Sequence, residues 1–453
     1  MKTRNDLGRD PVGRLVLRIA VPSMLAQFVS VLYSIVDRMY IGNIPGEGAL
    51  ALAGVGVCGP VVTMVGSAAV WISWGGSPLM GIRMGEGRQE EAARILRSCV
   101  VLLLGFALAM MAIVIPLRGP MLRFFGASEA TYPYADAYFT AYMSGTVFAL
   151  LASGLNQFII AQGFAAEGMK LTMLGAALNI VLDPVFIFVL DMGVTGAAVA
   201  TVLSQMASAA GAALFLLGGR ASVRLVRGSL SAAACRRVLA LGFSPFSIIA
   251  IDNVMIIAMN AVLQRYGGAQ MGDMLVTVAV IAQSFMLVVT MPLGGITGGT
   301  QAILSFNYGA RRMDRVREAQ RRIIVFCMGF TAVMFVLARL AGPLFVRLFT
   351  RQEDVAQMAA WAIRVCTLAI LPLGVQYEIV DGFTALGQVK LSFVLSFFRK
   401  LVYFLALFLL PALLGARMAF YAEPVSDILG PFLSIVVHRA TVERVLGGAK
   451  KRR

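Results

Sequence analysis

The chain has 453 residues, with 39 Lys and Arg against 23 Asp and Glu, one His and a formal net charge of +16. Hydrophobic residues make up 59% and charged residues 14%, where a soluble domain carries roughly 25% charged residues. That balance excludes a soluble enzyme, a disordered tail protein and a disulfide scaffold, and predicts an all-α polytopic membrane protein.

The amino terminus, MKTRNDLGRDPVGRLVLRIA, is basic. The apolar run after it is too long for a signal peptide and continues into Val36 without an A-x-A site, so it reads as an uncleaved first span. A bilayer core of about 30 Å takes roughly 20 apolar residues per helix. Twelve segments meet this, at 14–41, 50–82, 95–117, 132–162, 169–190, 194–217, 235–264, 275–308, 321–346, 356–385, 389–413 and 418–441. Several contain Pro or Gly, as tilted or broken helices do.

Basic residues orient the spans. Counted with the three end residues of each adjoining span, the amino tail, the even-to-odd loops and the carboxyl tail hold 27, and the opposite side holds 6. Under the positive-inside rule both termini are cytoplasmic. The basic runs RGSLSAAACRR, ARRMDRVREAQRR and KKRR read as topology determinants, and no nucleic-acid partner is expected.

The two halves repeat. At an offset of 223, Pro22 meets Pro245, Gly75-Gly76 meets Gly298-Gly299, and Gly119-Pro120 meets Gly342-Pro343. FAAEGMKLT at 164–172 matches FTALGQVKLS at 383–392 after small insertions. Each half holds six spans, so the halves are parallel repeats about an axis along the membrane normal. The expected organisation is an amino-terminal lobe over 1–218, a basic cytoplasmic linker over 219–235 and a carboxyl-terminal lobe over 236–453.

An ionised carboxylate at the centre of a membrane helix costs about 2.5–3.5 kcal/mol on insertion scales, which gives intramembrane acids a functional default. Asp37 lies toward the outer end of span 1, and Asp183 lies within span 5 with Asn179 one turn earlier on the same face. Asn156, Gln157 and Tyr138 fall in span 4 and Thr201 in span 6. Structural readings stand beside these: Asp37 could form an interfacial ion pair with Arg38, and Asp183 could satisfy backbone freed by Pro184. In the carboxyl lobe the repeat partner of Asp37 is Asn260, and Asn179 aligns with Arg399. That lobe keeps Asp252 and Asn253 in span 7, Gln283 in span 8, Gln376, Glu378 and Asp381 in span 10, and Asp427 in span 12. Loss of the paired acid in one copy suggests that ion chemistry stayed in the other.

Other chemistry has no signature here. The five scattered cysteines form no CxxC pair, and His438 has no second His with which to share a metal. There is no GxxxxGK[ST], GxSxG or HExxH pattern, so neither ATP-driven pumping nor an enzyme is expected, and no cofactor beyond a coupling ion.

At these residues the chain resembles the multidrug and toxic-compound extrusion (MATE) family of the MOP flippase superfamily, especially its MepA-like and DinF-like bacterial branch. The resemblance runs from about residue 13 to 440 and includes VPSMLAQFVSVLYSIVDRMYIG, ALAGVGVCGP, NIVLDPVFIF, GVTGAAVATVLSQ, GITGGTQAILSFNYGARRMDRV and AEPVSDILG. It implies twelve helices in two six-helix lobes in the bacterial inner membrane. It implies a monomer that exports amphipathic organic cations in exchange for H+ or Na+. In the DinF-like branch the ion site is in the amino lobe, and its positions match Tyr33, Asp37, Tyr138, Asn156, Asn179, Asp183 and Thr201. The bend-forming proline of the first helix matches Pro22. The other main branch places an acid in span 7 where this chain has Asn253, beside Asp252, and one in span 10 that falls near Gln376. That departure speaks against a carboxyl-lobe cation site of that branch's kind.

The expected cycle loads H+, or Na+ held also by Asn179, Asn156 and Thr201, onto Asp37 and Asp183 and displaces a cationic substrate outward, with Pro22 as the bending element. A lipid-linked saccharide flippase is the alternative. It would want a cationic cavity, for which Arg399, Lys400 and Arg364 are the available side chains.

Overall fold

The computed structural model describes residues 6–226, 228–350 and 352–451, with the side chains of all of these except Ala49, Ala269, Gln270, Asp273 and 448–451. Arg227 and parts of both basic ends, which entered the charge count above, lie outside the described residues. Among those described, the regular structure is helical, with no strand.

Among the described residues ten helices are long and apolar enough to cross a bilayer singly, and two bent pairs each make one further span. In chain order they are Val12–Gly42, Leu50–Gly85, Gln89–Val114, the pair Tyr132–Ser144 and Thr146–Ala161, Ala165–Val189, Gly193–Leu217, Ala232–Gly268, Met274–Gly309, Met313–Leu340, the pair Glu353–Cys366 and Ile370–Ala385, Val389–Leu414, and Ala416–Gly447. They are called spans 1 to 12 below, and each coincides with one of the twelve apolar segments read from the sequence. Large apolar side chains such as Leu214, Leu340, Leu409 and Phe432 are exposed along them. This is the surface that lipid tails cover, since a bilayer solvates apolar side chains as water does polar ones.

The two bent spans occupy equivalent places in the two halves, at 54° for span 4 and 50° for span 10. Span 4 breaks at Gly145, where the chain passes so close to Val202 of span 6 that a Cβ would collide with its side chain. Spans 7 and 8 are joined without a loop, through Gly268 at φ 62° and ψ −172°. Residues with a Cβ rarely adopt that conformation. In span 5 the α-helix runs to Pro184 and is followed by a π-helical turn over Val185–Val189. Proline has no N–H to close the preceding turn, and such insertions recur at functional sites.

The chain forms two compact units. One holds Asp6, Leu7 and Val21–Phe246, and the other holds Gly8–Ala20 and the residues from Ser247 onward. Beyond the passage at Leu7, the chain changes unit twice inside helices, both times beside a proline: ahead of Pro22 in span 1, and after Pro245 in span 7. These are the two prolines that the 223-residue repeat pairs. In the first unit, span 2 and the first half of span 7 pack at glycines. A Cβ on Gly75 would strike the carbonyl oxygen of Val238, and one on Gly242 would strike that of Trp71. Trp71 Nε1 donates to Leu239 O at 2.8 Å, and its ring stacks on Phe246 at 4.6 Å. In the second unit, a core including Met255, Leu263, Phe285, Ile370, Tyr403 and Phe420 ties spans 7, 8, 10, 11 and 12 together.

Candidate ion and substrate site

The polar residues of the amino-terminal half converge inside the first unit. Span 5 presents Thr172, Asn179 and Asp183 along one seam, as their spacing of seven and four residues requires. Asp183 is fully buried and Asn179 nearly so. The amide nitrogen Nδ2 of Asn179 donates to Asp183 Oδ1 at 3.1 Å and to Thr201 Oγ1 of span 6 at 3.3 Å. One primary amide has two N–H bonds, so Asn179 ties the carboxyl group to the neighbouring helix.

Span 1 brings Asp37 to the same place. Its carboxyl and that of Asp183 face each other within hydrogen-bonding reach. Asp37 is half-buried and Arg38 beside it is exposed. Asp37 Oδ1, Asp183 Oδ2 and Asn179 Oδ1 are sealed from solvent without a hydrogen-bond partner. The structural alternative for Asp183 is not realised in its geometry: Oδ1 is engaged by Asn179, and Oδ2 is bonded to no backbone group.

Tyrosines form one wall. Tyr33 lies one turn before Asp37 and is in electrostatic contact with it and with Tyr142. Tyr138, buried in span 4, is in contact with Asp37, Tyr33 and Tyr142. Its ring stacks on that of Tyr142 with centroids 6.0 Å apart and an interplanar angle of 8°. Tyr142 in turn lies beside Gln205 of span 6. Tyr142 and Gln205 were not singled out in the sequence, although each stands one helical turn beyond a residue that was, Tyr138 and Thr201.

Asn156 belongs to the same seam at a different depth. Its Nδ2 donates to Thr172 Oγ1 at 3.2 Å. Thr172 lies seven residues before Asn179, about 10 Å along the helix. Asn156 Oδ1 is buried and unpartnered, close against Gly168. Pro22 lies fifteen residues before Asp37 in the same helix, at the handover between units.

The carboxyl-lobe candidates are placed differently. Asp252 is ion-paired with the buried Lys400 of span 11. Asn253 donates to Ile249 O of its own helix at 2.9 Å, and Asn260 keeps a buried unpartnered Oδ1. Gln376 donates to Leu395 O at 3.4 Å, and Gln283 is half-buried in span 8. Arg399 binds Asp427 at 2.8 Å, with Glu423 at 3.9 Å. The two buried cations of span 11 are thus each matched by a carboxylate.

A pair of carboxyl groups, one buried and one half-buried, lined with unpartnered oxygens is suited to hold a small cation. A hydrogen bond between two carboxyl groups exists only while one of them carries a proton, and the neutral oxygens of Asn and Thr suit a hard cation such as Na+. Among the described residues no cluster of three or more His, Cys, Asp or Glu side chains is arranged for a metal ion.

The family model MatE matches the chain at residues 22–185 and 249–409. A protein named FAD transporter from Shewanella oneidensis strain MR-1 is 24% identical over 440 residues, covering 95% of each chain. A multidrug export protein MepA from Staphylococcus aureus strain MSSA476 is 19% identical over 431 residues, covering 95% of this chain and 94% of its own. An outward-facing structure of a multidrug resistance MATE family transporter of the MOP superfamily superposes with a TM-score of 0.89 at 22% identity, covering 98% of each chain.

Proposed function

Since the chain belongs to the MatE family, we propose that it is a secondary active antiporter that exports small amphipathic organic cations in exchange for H+ or Na+. It acts as a monomer in the bacterial inner membrane with both termini cytoplasmic, and needs no cofactor beyond the coupling ion. The observation that carries this reading is the facing pair Asp37 and Asp183, with Asn179 and Thr201 attached and acceptor oxygens left over.

In this reading the pair alternates between two occupants. A cationic substrate entering from the cytoplasm is drawn to the carboxylates and to the faces of Tyr138 and Tyr142, where a cation meets a ring quadrupole. A proton or Na+ arriving from outside neutralises the pair and releases the substrate outward. Pro22 lies inside the helix of Asp37, and its missing N–H weakens the ladder there, which gives the charge change a mechanical element to bias. One charge moving through 100 mV supplies about 2.3 kcal/mol, roughly fiftyfold in gradient.

The Shewanella relative's name raises an anionic dinucleotide as a substrate, and a saccharide-lipid flippase would want a cationic cavity too. Lys400 and Arg399 are engaged by Asp252 and Asp427, which supports the cationic reading. Everted vesicles energised with a proton or a sodium gradient test it. Accumulation of a cationic dye should be driven by one of these gradients and abolished by Asp183→Asn. FAD should not compete. Full dye transport in Asp183→Asn, or uptake of FAD in place of the dye, would sink the assignment.

A further inference from the structure

A second polar pocket lies wholly in the other unit, among spans 8, 9 and 10. Glu378 is 1% exposed in the middle of Ile370–Ala385, and neither of its carboxyl oxygens has a hydrogen-bond partner. One turn on, Asp381 accepts a hydrogen bond from Thr297 Oγ1 of span 8. Gln301, one turn beyond Thr297 on the same face, is 2% exposed, and both its amide atoms are likewise unpartnered. From span 9, Cys327 is in electrostatic contact with both acids. Gln320 of the same span reaches Gly382, where a Cβ would stand 2.9 Å from Gln320 Nε2 and 3.6 Å from Glu378 Oε1. The bare backbone at Gly382 leaves room for both side chains.

An ionised carboxylate stripped of water, donors and counter-charge is among the most costly arrangements a fold can hold. Among the described residues the titratable groups facing Glu378 are Asp381 and Cys327, neither of them a positive charge. Breaking a buried pair leaves such a charge behind and destabilises strongly, yet here the unpaired state is the built one. The missing charge must come from a small ion. A proton needs only the carboxyl group itself. Sodium needs several oxygens, which Thr297, Gln301, Gln320 and Asp381 hold nearby.

We propose that Glu378 and Asp381, walled by Thr297, Gln301 and Gln320, form a second monovalent-cation site in the carboxyl-terminal half, occupied by one H+ or Na+. It is separate from Gln376, whose amide turns away to Leu395 O of span 11. It is also independent of the amino-terminal pair, so it stands whether or not that pair couples transport.

The test is infrared difference spectroscopy of protonated carboxyl groups in protein carrying Asp37→Asn and Asp183→Asn, which removes the amino-terminal contribution. In sodium-free buffer near neutral pH, adding Glu378→Gln should remove about one carboxyl equivalent from the band. Adding Na+ to the Glu378-containing protein should erase the same signal if sodium takes the proton's place, and leave it if the site is proton-only. A band identical with and without Glu378→Gln overturns the proposal. Should that variant fail to fold, Thr297→Val keeps both acids and removes the donor to Asp381. The pH at which the band disappears should then move by one unit or more, and an unmoved midpoint overturns the proposal equally.

Discussion

Asn179 stands one helical turn before Asp183 and donates to its Oδ1 at 3.1 Å, while the same nitrogen reaches Thr201 on the next span. The carboxyl is thus held by a group that has no charge of its own and cannot neutralise it. Asn179→Ala should remove a hydrogen bond to a charged group, about 1.5–3 kcal/mol. This corresponds to roughly a ten- to hundredfold loss in apparent affinity for the coupling ion. Thr201→Val removes only the longer, neutral bond at 3.3 Å and should cost several-fold at most. Dye transport measured against pH and against Na+ concentration separates the two, and equal effects would contradict the geometry.

Asp37 and Asp183 come from different helices but share one site. Groups that act as a unit are not additive on substitution. Asp37→Asn and Asp183→Asn should each abolish substrate-induced proton release from purified protein, and the double variant should behave like either single one. Partial losses that sum in the double variant would mean two independent sites.

The twelve spans were legible because a run of some twenty apolar residues is a strong signal and because each basic flank marks an end. The bends in spans 4 and 10 were not legible. Gly145 kinks where it meets Val202, a contact across 57 positions of sequence that averaging over a span erases. Asp183 and Asn179 could be paired from their spacing alone, Thr201 and Tyr138 stood out as polar residues inside spans, and the resemblance supplied Tyr33. Gln205 and Tyr142 escaped, although each follows a recognised residue by four. Lys400 was read as a candidate for a cationic cavity, and its engagement by Asp252, 148 positions away, leaves no local pattern.

That pair predicts an asymmetry. Lys400 has a side chain only 6% exposed, while Asp252 is 43% exposed. Asp252→Ala strands a buried ammonium group, the costly case, at up to about 3–5 kcal/mol. Lys400→Met leaves a carboxylate that the protein does not enclose and fills the space with apolar atoms, so its cost should stay well below that of Asp252→Ala. Thermal melting in detergent should therefore fall well below wild type for Asp252→Ala and little for Lys400→Met. Equal melting temperatures would mean that the ammonium finds another partner.

Gly242 offers a test of packing that leaves the polar site alone. Its Cα lies against the backbone carbonyl of Trp71, and Gly75 lies against that of Val238, so the two helices meet backbone to backbone. Small residues allow such approach in membranes, where dispersion and close fit replace the hydrophobic drive. A methyl group at Gly242 would strike a carbonyl oxygen held in its own helix, which cannot rotate away as a side chain could. Gly242→Ala should therefore part spans 2 and 7 locally, strain the Trp71 bond to Leu239 O and cost about 1–3 kcal/mol. Gly105→Ala in span 3 is the control. Nothing lies within 4 Å of its Cβ position, and alanine gains helix propensity of up to about 1 kcal/mol. Melting temperature should fall in the first variant and hold or rise in the second. Trp71 fluorescence should report the parting directly, and the same spectrum and melting in Gly242→Ala as in wild type would show that the close approach is dispensable.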